Sequence, residues 1–510
     1  MAEISDRDQS DVGDRHRHAW LMMVMILLAL LGVVCRVRLY LARTSFWNDE
    51  AFIVLNVEDH PASAMMGPLD YNQAAPPAFM WVERAAFVWL GNGEYALRLI
   101  PLVCGVTALA VFARLAWREL APPAAAFAVG LFAFTDKLID YSAQVKQYSG
   151  DGLVAVVLIA LALAWKDRRR AALRFIILSV VAATAVWISH PAAIVFAALS
   201  LALAIPCARE GWAGWIAWVG GNIVVAASFG ILYHYSIVRE QDPFLYKFWA
   251  PGFPPTDRLW QVPGWLCGRL LELARQPLAP LGALTGILAM LGVVELALSR
   301  RLILLSACIG PIVLTVAAAF DRKYPFSPSR LTIYLLPGLV LLCGAGALFL
   351  MRRLPRPWRY WSVAAPAALL GCMMAAAGGR VFHPHFYSHI RPVVDYVRVH
   401  RQPGDALFLL GVPKERHLEF YCYWRHPEPP VFAVLPGPEQ LPFGRFWLIF
   451  PFAPGHPAAF IESAVKEAGS VARQDGPSFF IPEGGAAYLF DRPAATSQPA
   501  AAAAAGGPSK

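Results

Sequence analysis

Apolar residues come in long blocks through the first three quarters of the chain and in short alternating runs through the last. A helix that crosses a bilayer needs about 20 mostly apolar residues. Eleven blocks approach that length: 20–41, 95–116, 121–139, 149–165, 172–189, 191–206, 213–235, 278–298, 302–320, 331–351 and 359–378. The pattern predicts an α-helical polytopic membrane protein with about 11 transmembrane helices. The two blocks that flank His190-Pro191 are short; as one broken helix they would reverse every later span. The first block is too long for a signal peptide, and no small-residue cleavage site follows it.

Three further regions flank or follow this membrane domain of residues 20–378. Residues 1–19 read as a charged, mobile cytoplasmic leader. Over 379–490 helix and strand patterns alternate, which predicts a small soluble α/β domain. Its helices are expected at His389–Arg401, Lys414–Trp424 and Ala458–Ala468, and its strands at Ala406–Leu410, Pro430–Leu435, Phe446–Phe450 and Tyr488–Phe490. Residues 491–510 form an Ala/Pro/Gly/Ser-rich tail, expected to be disordered.

Composition sharpens the picture. With 57% hydrophobic residues, the chain is too apolar for an ordinary soluble domain. The net charge of +9 is concentrated at span ends: Arg15 and Arg17, Arg114 and Arg118, Lys166–Arg170, Arg300-Arg301, and Arg352–Arg359. Cytoplasmic loops collect Lys and Arg, so a cytoplasmic N-terminus puts all of these inside. That explains the basic balance better than nucleic-acid binding does. Loops 42–94, 140–148, 236–277 and 321–330 then lie outside with the C-terminal region. Ala/Arg/Pro-rich usage fits a bacterial inner membrane. The eight cysteines form no CxxC pair, so neither a zinc site nor a disulfide framework is indicated; Cys267 and Cys422 fall outside, and their pairing stays open.

The most informative polar feature is Trp47-Asn48-Asp49-Glu50, just past the first block. Acids beside a membrane span are functional candidates. Their plainer role is to complement a helix dipole, with Asn48 capping a short helix over Asp49–Val57. Gln73-Ala74-Ala75-Pro76-Pro77 breaks the chain, and Ala78–Leu90 reads as an interfacial helix anchored by Trp81 and Trp89. His190 beside Pro191 reads as a kink with a satisfied ring. His383-Pro384-His385 and His389 are too sparse for a metal assignment, so none is made. Gly344-Ala345-Gly346 lies inside a span and reads as helix packing rather than a phosphate loop.

Five segments, in order, resemble family 39 of the GT-C glycosyltransferases, which includes protein O-mannosyltransferases, lipid A aminoarabinose transferases and rhizobial galacturonosyl transferases. Trp47–Glu50 resembles the aromatic–x–Asp–Glu signature after span one, and Ala75-Pro76-Pro77 resembles the segment before the interfacial helix. Gly93–Pro101 resembles the entry to span two, Tyr141–Tyr148 the segment before span four, and Tyr324-Pro325-Phe326 with Arg330 and Pro337 a late loop. The matches cover most of 40–340.

The resemblance implies transfer of a sugar from a polyprenyl phosphate to a lipid, glycan or protein acceptor at the outer face, with inversion and no metal. It makes Asp49 the base and gives Glu50 the orientation of the loop or a share in acceptor binding. Lys146 and Arg330 would hold the donor phosphate, though such cations also snorkel to headgroups. Tyr148 and Tyr324 would bond that phosphate or sit in the aromatic belt. Asp151 is expected to partner Lys146, and Gln73 and His190 to support the site. Gln144 stands where many relatives keep an acid, which puts an acidic helper there in doubt. The C-terminal domain would present the acceptor. The rival readings are a transporter or flippase for a lipid-linked substrate, and a non-catalytic scaffold.

Overall fold

The structure, a computed structural model, describes residues 2–164, 170–238, 243–277, 279–358, 360–384, 390–410, 417–424, 431–432, 441–450, 458–474, 479–480 and 485–493. It divides into two compact units: Met1–Arg43 with Phe52–His385, and Thr44–Ala51 with Phe386–Lys510.

The first unit is helical. Helix α1 (Ala2–Leu41) runs straight out of the charged leader, so that stretch continues the first span's helix. Helices α2 (Asn48–Asp59) and α3 (Pro77–Leu90) belong to the first polar loop. Next come α4 (Glu94–Glu119), α5 (Pro122–Phe134) and α6 (Asp136–Asp140). Proline opens α3 and α5, where a missing N–H is tolerated. Helices α7 (Tyr148–Leu163), α8 (Ala171–Ala185), α9 (Ala192–Ala208) and α10 (Trp212–Leu232) follow. The predicted loop 236–277 carries α11 (Pro243–Phe248) and the amphipathic α12 (Val262–Arg275), which sequence reading had not separated. Helices α13 (Gly282–Leu298), α14 (Leu302–Phe320), α15 (Leu336–Arg353) and α16 (Trp361–Phe382) complete the unit.

All eleven predicted blocks are helical, but not equally so. Among the described residues seven helices are long and apolar enough to cross a membrane, and α5 with the segment Asp136–Ala143 makes an eighth, bent by 56°. Helices α7, α8 and α9 are shorter. The 15 residues of α8 span about 22 Å, less than a bilayer's hydrocarbon core. Helices α8 and α9 remain separate across His190-Pro191, because Ser189 N–H closes the end of α8 on Ala185 O and Ala192 N–H starts a new turn on Ser189 O. The predicted outer loop 140–148 is mostly buried and carries a 3-10 turn at Tyr141–Ala143.

Close helix contacts rest on small residues. A methyl group on Gly346 would overlap the Leu288 carbonyl, and one on Gly292 the Leu342 carbonyl, so α13 and α15 touch backbone to backbone. Gly344 packs closely on Leu120 and on Ala128 and Ala124 of α5. The Gly-Ala-Gly run therefore packs helices.

Ion pairs show which helix ends share a side. Glu119 at the end of α4 pairs with Arg118 (2.8 Å) and with Arg301 at the start of α14, and Arg352 at the end of α15 pairs with Glu295 near the end of α13 at 2.8 Å. All these ends were assigned to one side from the basic clusters. At the opposite ends Arg380 pairs with Asp136 at 2.6 Å, Arg43 with Glu94 at 3.2 Å, and Phe326 N–H donates to Gly252 O at 2.8 Å.

The second unit is an α/β layer domain, and α16 runs to Phe382, slightly past the expected boundary at 379. Strands β1 (Ala406–Leu409), β2 (Val431–Phe432), β3 (Gly444–Phe450), β4 (Arg473–Gln474), β5 (Phe479–Phe480) and β6 (Ala486–Arg492) form one sheet. Its order is β2-β1-β3-β6-β4, with β5 also on β6; β1 pairs parallel with β2 and β3, whereas the pairs to β6 are antiparallel. Sequence reading missed β4 and β5, which are two residues each. Helices α17 (Ile390–His400) and α18 (His417–Trp424) cover one face through Val394, Val397, Phe420 and Trp424 against Leu407, Trp447 and Ile449. Helix α19 (Ala458–Gly469) covers the other through Ala464 and Ala468 against Phe446, Leu448 and Phe490. The alternation along β3 supplies both faces. The expected residues 414–416, 430 and 433–435 of one helix and one strand, and residues 494–510 of the tail, lie outside the described residues, whereas β6 carries strand to Arg492, inside the stretch expected to be disordered.

Candidate functional site

Helix α2 starts at Asn48, one residue earlier than expected. The Trp47 carbonyl accepts the N–H groups of Glu50 (2.8 Å) and Ala51 (2.9 Å), and Glu50 Oε2 accepts the Trp47 N–H at 3.4 Å. Trp47 thus holds the cap position, and Glu50 reaches back as the carboxylate of a capping box. Asn48, expected to cap, is already helical, and its buried Oδ1 has no hydrogen-bond partner among the described residues. Glu50 is fully buried and Asp49 half-buried. Adjacent helix residues diverge by about 100°, which gives the two acids different surroundings.

This segment belongs to the second unit. Ser45 Oγ accepts the Arg391 N–H at 3.1 Å. The Phe46 N–H donates to the Tyr423 hydroxyl at 2.6 Å, and the two rings stack with centroids 5.7 Å apart. The Cys422 thiol points at the Ala51 carbonyl, 3.7 Å away.

Within the first unit the rest of the polar loop is folded around a strained turn. Tyr71 and Asn72 both have left-handed backbones, at φ 63° and 52°. L-residues seldom adopt that conformation in succession. Asn56 on α2 fixes the turn through both amide atoms: Oδ1 accepts the Asp70 N–H at 2.9 Å and Nδ2 donates to Asp70 O at 3.2 Å. Phe52 stacks on Tyr71 at 5.4 Å. The next residue, Gln73, places its Oε1 2.8 Å from Lys146 Nζ, and Gln147 Nε2 donates to Ala74 O at 3.3 Å. Lys146 is only 4% exposed. The loop and the α6–α7 connection are thereby clipped together. Trp81, expected as an interfacial anchor, instead donates to Ala62 O at 2.8 Å and stacks on Trp187, whereas Trp89 is 82% exposed.

Of the remaining predicted residues, Tyr148, Asp151 and Tyr324 lie within electrostatic reach of one another. Arg330 heads a 3-10 turn, with its guanidinium 5.4 Å from the centre of the Trp249 ring. The Tyr324 hydroxyl donates to Leu331 O at 2.8 Å, and burial, then the neighbouring Tyr334, pushes its phenol well above the ordinary value. Tyr148 packs edge-on against Tyr141 at 4.9 Å, and Gln144 is buried. Asp151 is not the partner of Lys146: among the described residues no ion pair joins them, and its buried Oδ1 has no hydrogen-bond partner. His190 is half-buried, with a partnerless Nε2 among the described residues, so the expected satisfied ring is not found. His385 and His389 lie outside the described residues.

Three features escaped the sequence reading. Asn56 sits two turns after Asp49 but gives no motif signal. Trp249 lies in a loop that was assigned only a side of the membrane. A cavity of about 450 Å³ is lined by Lys137, Arg275 and Arg380 together with Asp136, Glu272 and Gln276. Its cations come from three separate helix ends, which no local pattern joins.

No protein-family model matches this sequence, and no curated protein sequence matches it. Among solved structures, ArnT from Cupriavidus metallidurans in the apo state aligns over 91% of this chain and 97% of its own, with a TM-score of 0.51 and 13% identity. The same protein bound to undecaprenyl phosphate aligns over the same shares, with a TM-score of 0.51 and 14% identity. The Archaeoglobus fulgidus oligosaccharyltransferase, in complex with Zn and sulfate, covers 78% of this chain and 61% of its own at a TM-score of 0.47 and 13% identity. The likeness to ArnT is one of fold.

Proposed function

We propose that this chain is an inverting glycosyltransferase that moves a sugar from a polyprenyl phosphate to an acceptor at the outer face of a bacterial inner membrane, with its N-terminus cytoplasmic. The observation that carries the reading is Lys146, an ammonium buried to 4% exposure and held at 2.8 Å by Gln73 from the loop that follows the Asp49 helix. Ionisable side chains buried in a membrane protein are functional-site candidates. The GT-C type fold, and a fold neighbour described as bound to undecaprenyl phosphate, support a lipid phosphate as that anion.

In this reaction the Asp49 carboxylate takes the proton of the acceptor hydroxyl as its oxygen attacks the anomeric carbon. The bond from that carbon to the phosphate oxygen breaks, and polyprenyl phosphate leaves with the electron pair. Lys146 and Arg330 stabilise its growing charge. Tyr148 flanks the phosphate, whereas the Tyr324 hydroxyl proton is engaged by Leu331 O. Glu50 shapes the start of α2 through the Trp47 N–H. Attack opposite to the departing phosphate inverts the anomeric centre.

The test is Asp49→Asn. Mass spectrometry of envelope lipids, glycans and proteins, with and without the chain, identifies the product. The variant is expected to lower it by about 10²–10⁴-fold while still folding and binding undecaprenyl phosphate. Product at the wild-type level would overturn the reading and favour transport or scaffolding.

A further inference from the structure

We propose that the C-terminal domain is the holder of the first-loop acid, and that Tyr423 is a positioning residue for the transfer reaction. The inference rests on the reading of Asp49 as base.

The fastenings bracket Asp49 on both sides. Before it, Ser45 Oγ accepts from Arg391 N–H and Phe46 N–H donates to the Tyr423 hydroxyl. After it, the Cys422 thiol meets the Ala51 carbonyl. Phe46 is completely buried and stacked on Tyr423. The anchors come from the start of α17 and the end of α18, which pack on one another and on the sheet through Ile390, Phe420, Trp424 and Trp447. The segment therefore rests on a packed core and not on another loop, and it is short, so displacement of Phe46 carries Asp49 with it. Proton transfer requires hydrogen-bond reach, and a misplacement of about 1 Å costs on the order of 100-fold in rate. Acceptor presentation, the role first expected of this domain, requires none of these contacts.

The experiment uses the full chain in lipid nanodiscs and in cells. Tyr423→Phe keeps the ring stack and removes only the oxygen that accepts the Phe46 N–H. Hydrogen exchange over residues 45–51 is expected to accelerate about tenfold, and product formation to fall about 10–100-fold. Thermal unfolding and binding of undecaprenyl phosphate should stay at wild-type values, and added acceptor should not restore the rate. Ser45→Ala should act in the same direction, and it decides the matter should Tyr423→Phe fail to fold. Unchanged exchange, unchanged product, or recovery with excess acceptor would overturn the proposal. Asp49→Asn keeps the two levels apart: full product in that variant overturns the base assignment, whereas its inactivity beside a fully active Tyr423→Phe overturns the positioning role alone.

Discussion

At the scale of single residues, most of the candidate site is organised by side chains that carry no charge. The Asn56 amide grips both backbone atoms of Asp70, and Gln73 follows the turn that this fixes. Lys146→Ala is expected to weaken undecaprenyl phosphate binding by about 10–100-fold, because a hydrogen bond to a charged group contributes roughly 1.5–3 kcal/mol. Asn56→Ala should lower stability by about 1–2 kcal/mol and weaken binding less; a thermal melt and a binding titration separate the two effects. In the C-terminal domain, Asp405 makes a prediction about pH. Burial works to raise its carboxyl, but hydrogen bonds from Arg445, the Gln402 N–H and the Trp447 indole prevail and hold it below the ordinary carboxylate range. Its stabilisation is thus complete above the unfolded value of about 3.9 and is lost as pH falls through the folded value. Acid titration of Trp447 fluorescence should show this loss. Asp405→Asn should abolish it and cost about 3 kcal/mol, as for breaking a buried pair.

At the scale of elements, the sequence was legible where one period dominates. The eleven apolar blocks became helices because each could bury or expose its whole circumference in an apolar medium. What sequence could not reveal was length: Thr135 splits α5 from α6, and Ser189–Pro191 shortens α8 and α9, through local backbone choices. Trp47 rather than Asn48 holds the cap position, its N–H accepted by Glu50 three residues on, an arrangement that propensity alone does not decide. Strands β4 and β5 are too short to show a period. The packing reading of Gly344-Ala345-Gly346 extends to a test: Gly346→Val should drive α13 from α15 and cost about 1–3 kcal/mol or more by overpacking, read as a lower melting temperature.

At the scale of the whole molecule, the acids and the cations of the candidate site were read from one line of sequence, yet they fall in two units. Asp49 and Glu50 group with the C-terminal domain, whereas Lys146, Gln73 and Arg330 group with the membrane helices. Partners of the Asp49 segment such as Tyr423 lie 377 positions from Phe46, beyond any spacing argument. The charge pattern fared better, since helix ends joined by Glu119 and Glu295 are the ends that the basic clusters had grouped.

None of the eight thiols forms a disulfide, and Cys267 on α12 is exposed, while Cys422 is buried and Cys372 lies exposed on the apolar α16. The native chain thus carries its own sidedness reporter. A membrane-impermeant maleimide added to intact cells with a permeabilised outer barrier should tag Cys267 without any engineered handle. Tagging only after the inner membrane is breached would turn the drawn orientation upside down, and would move the proposed chemistry to the cytosol.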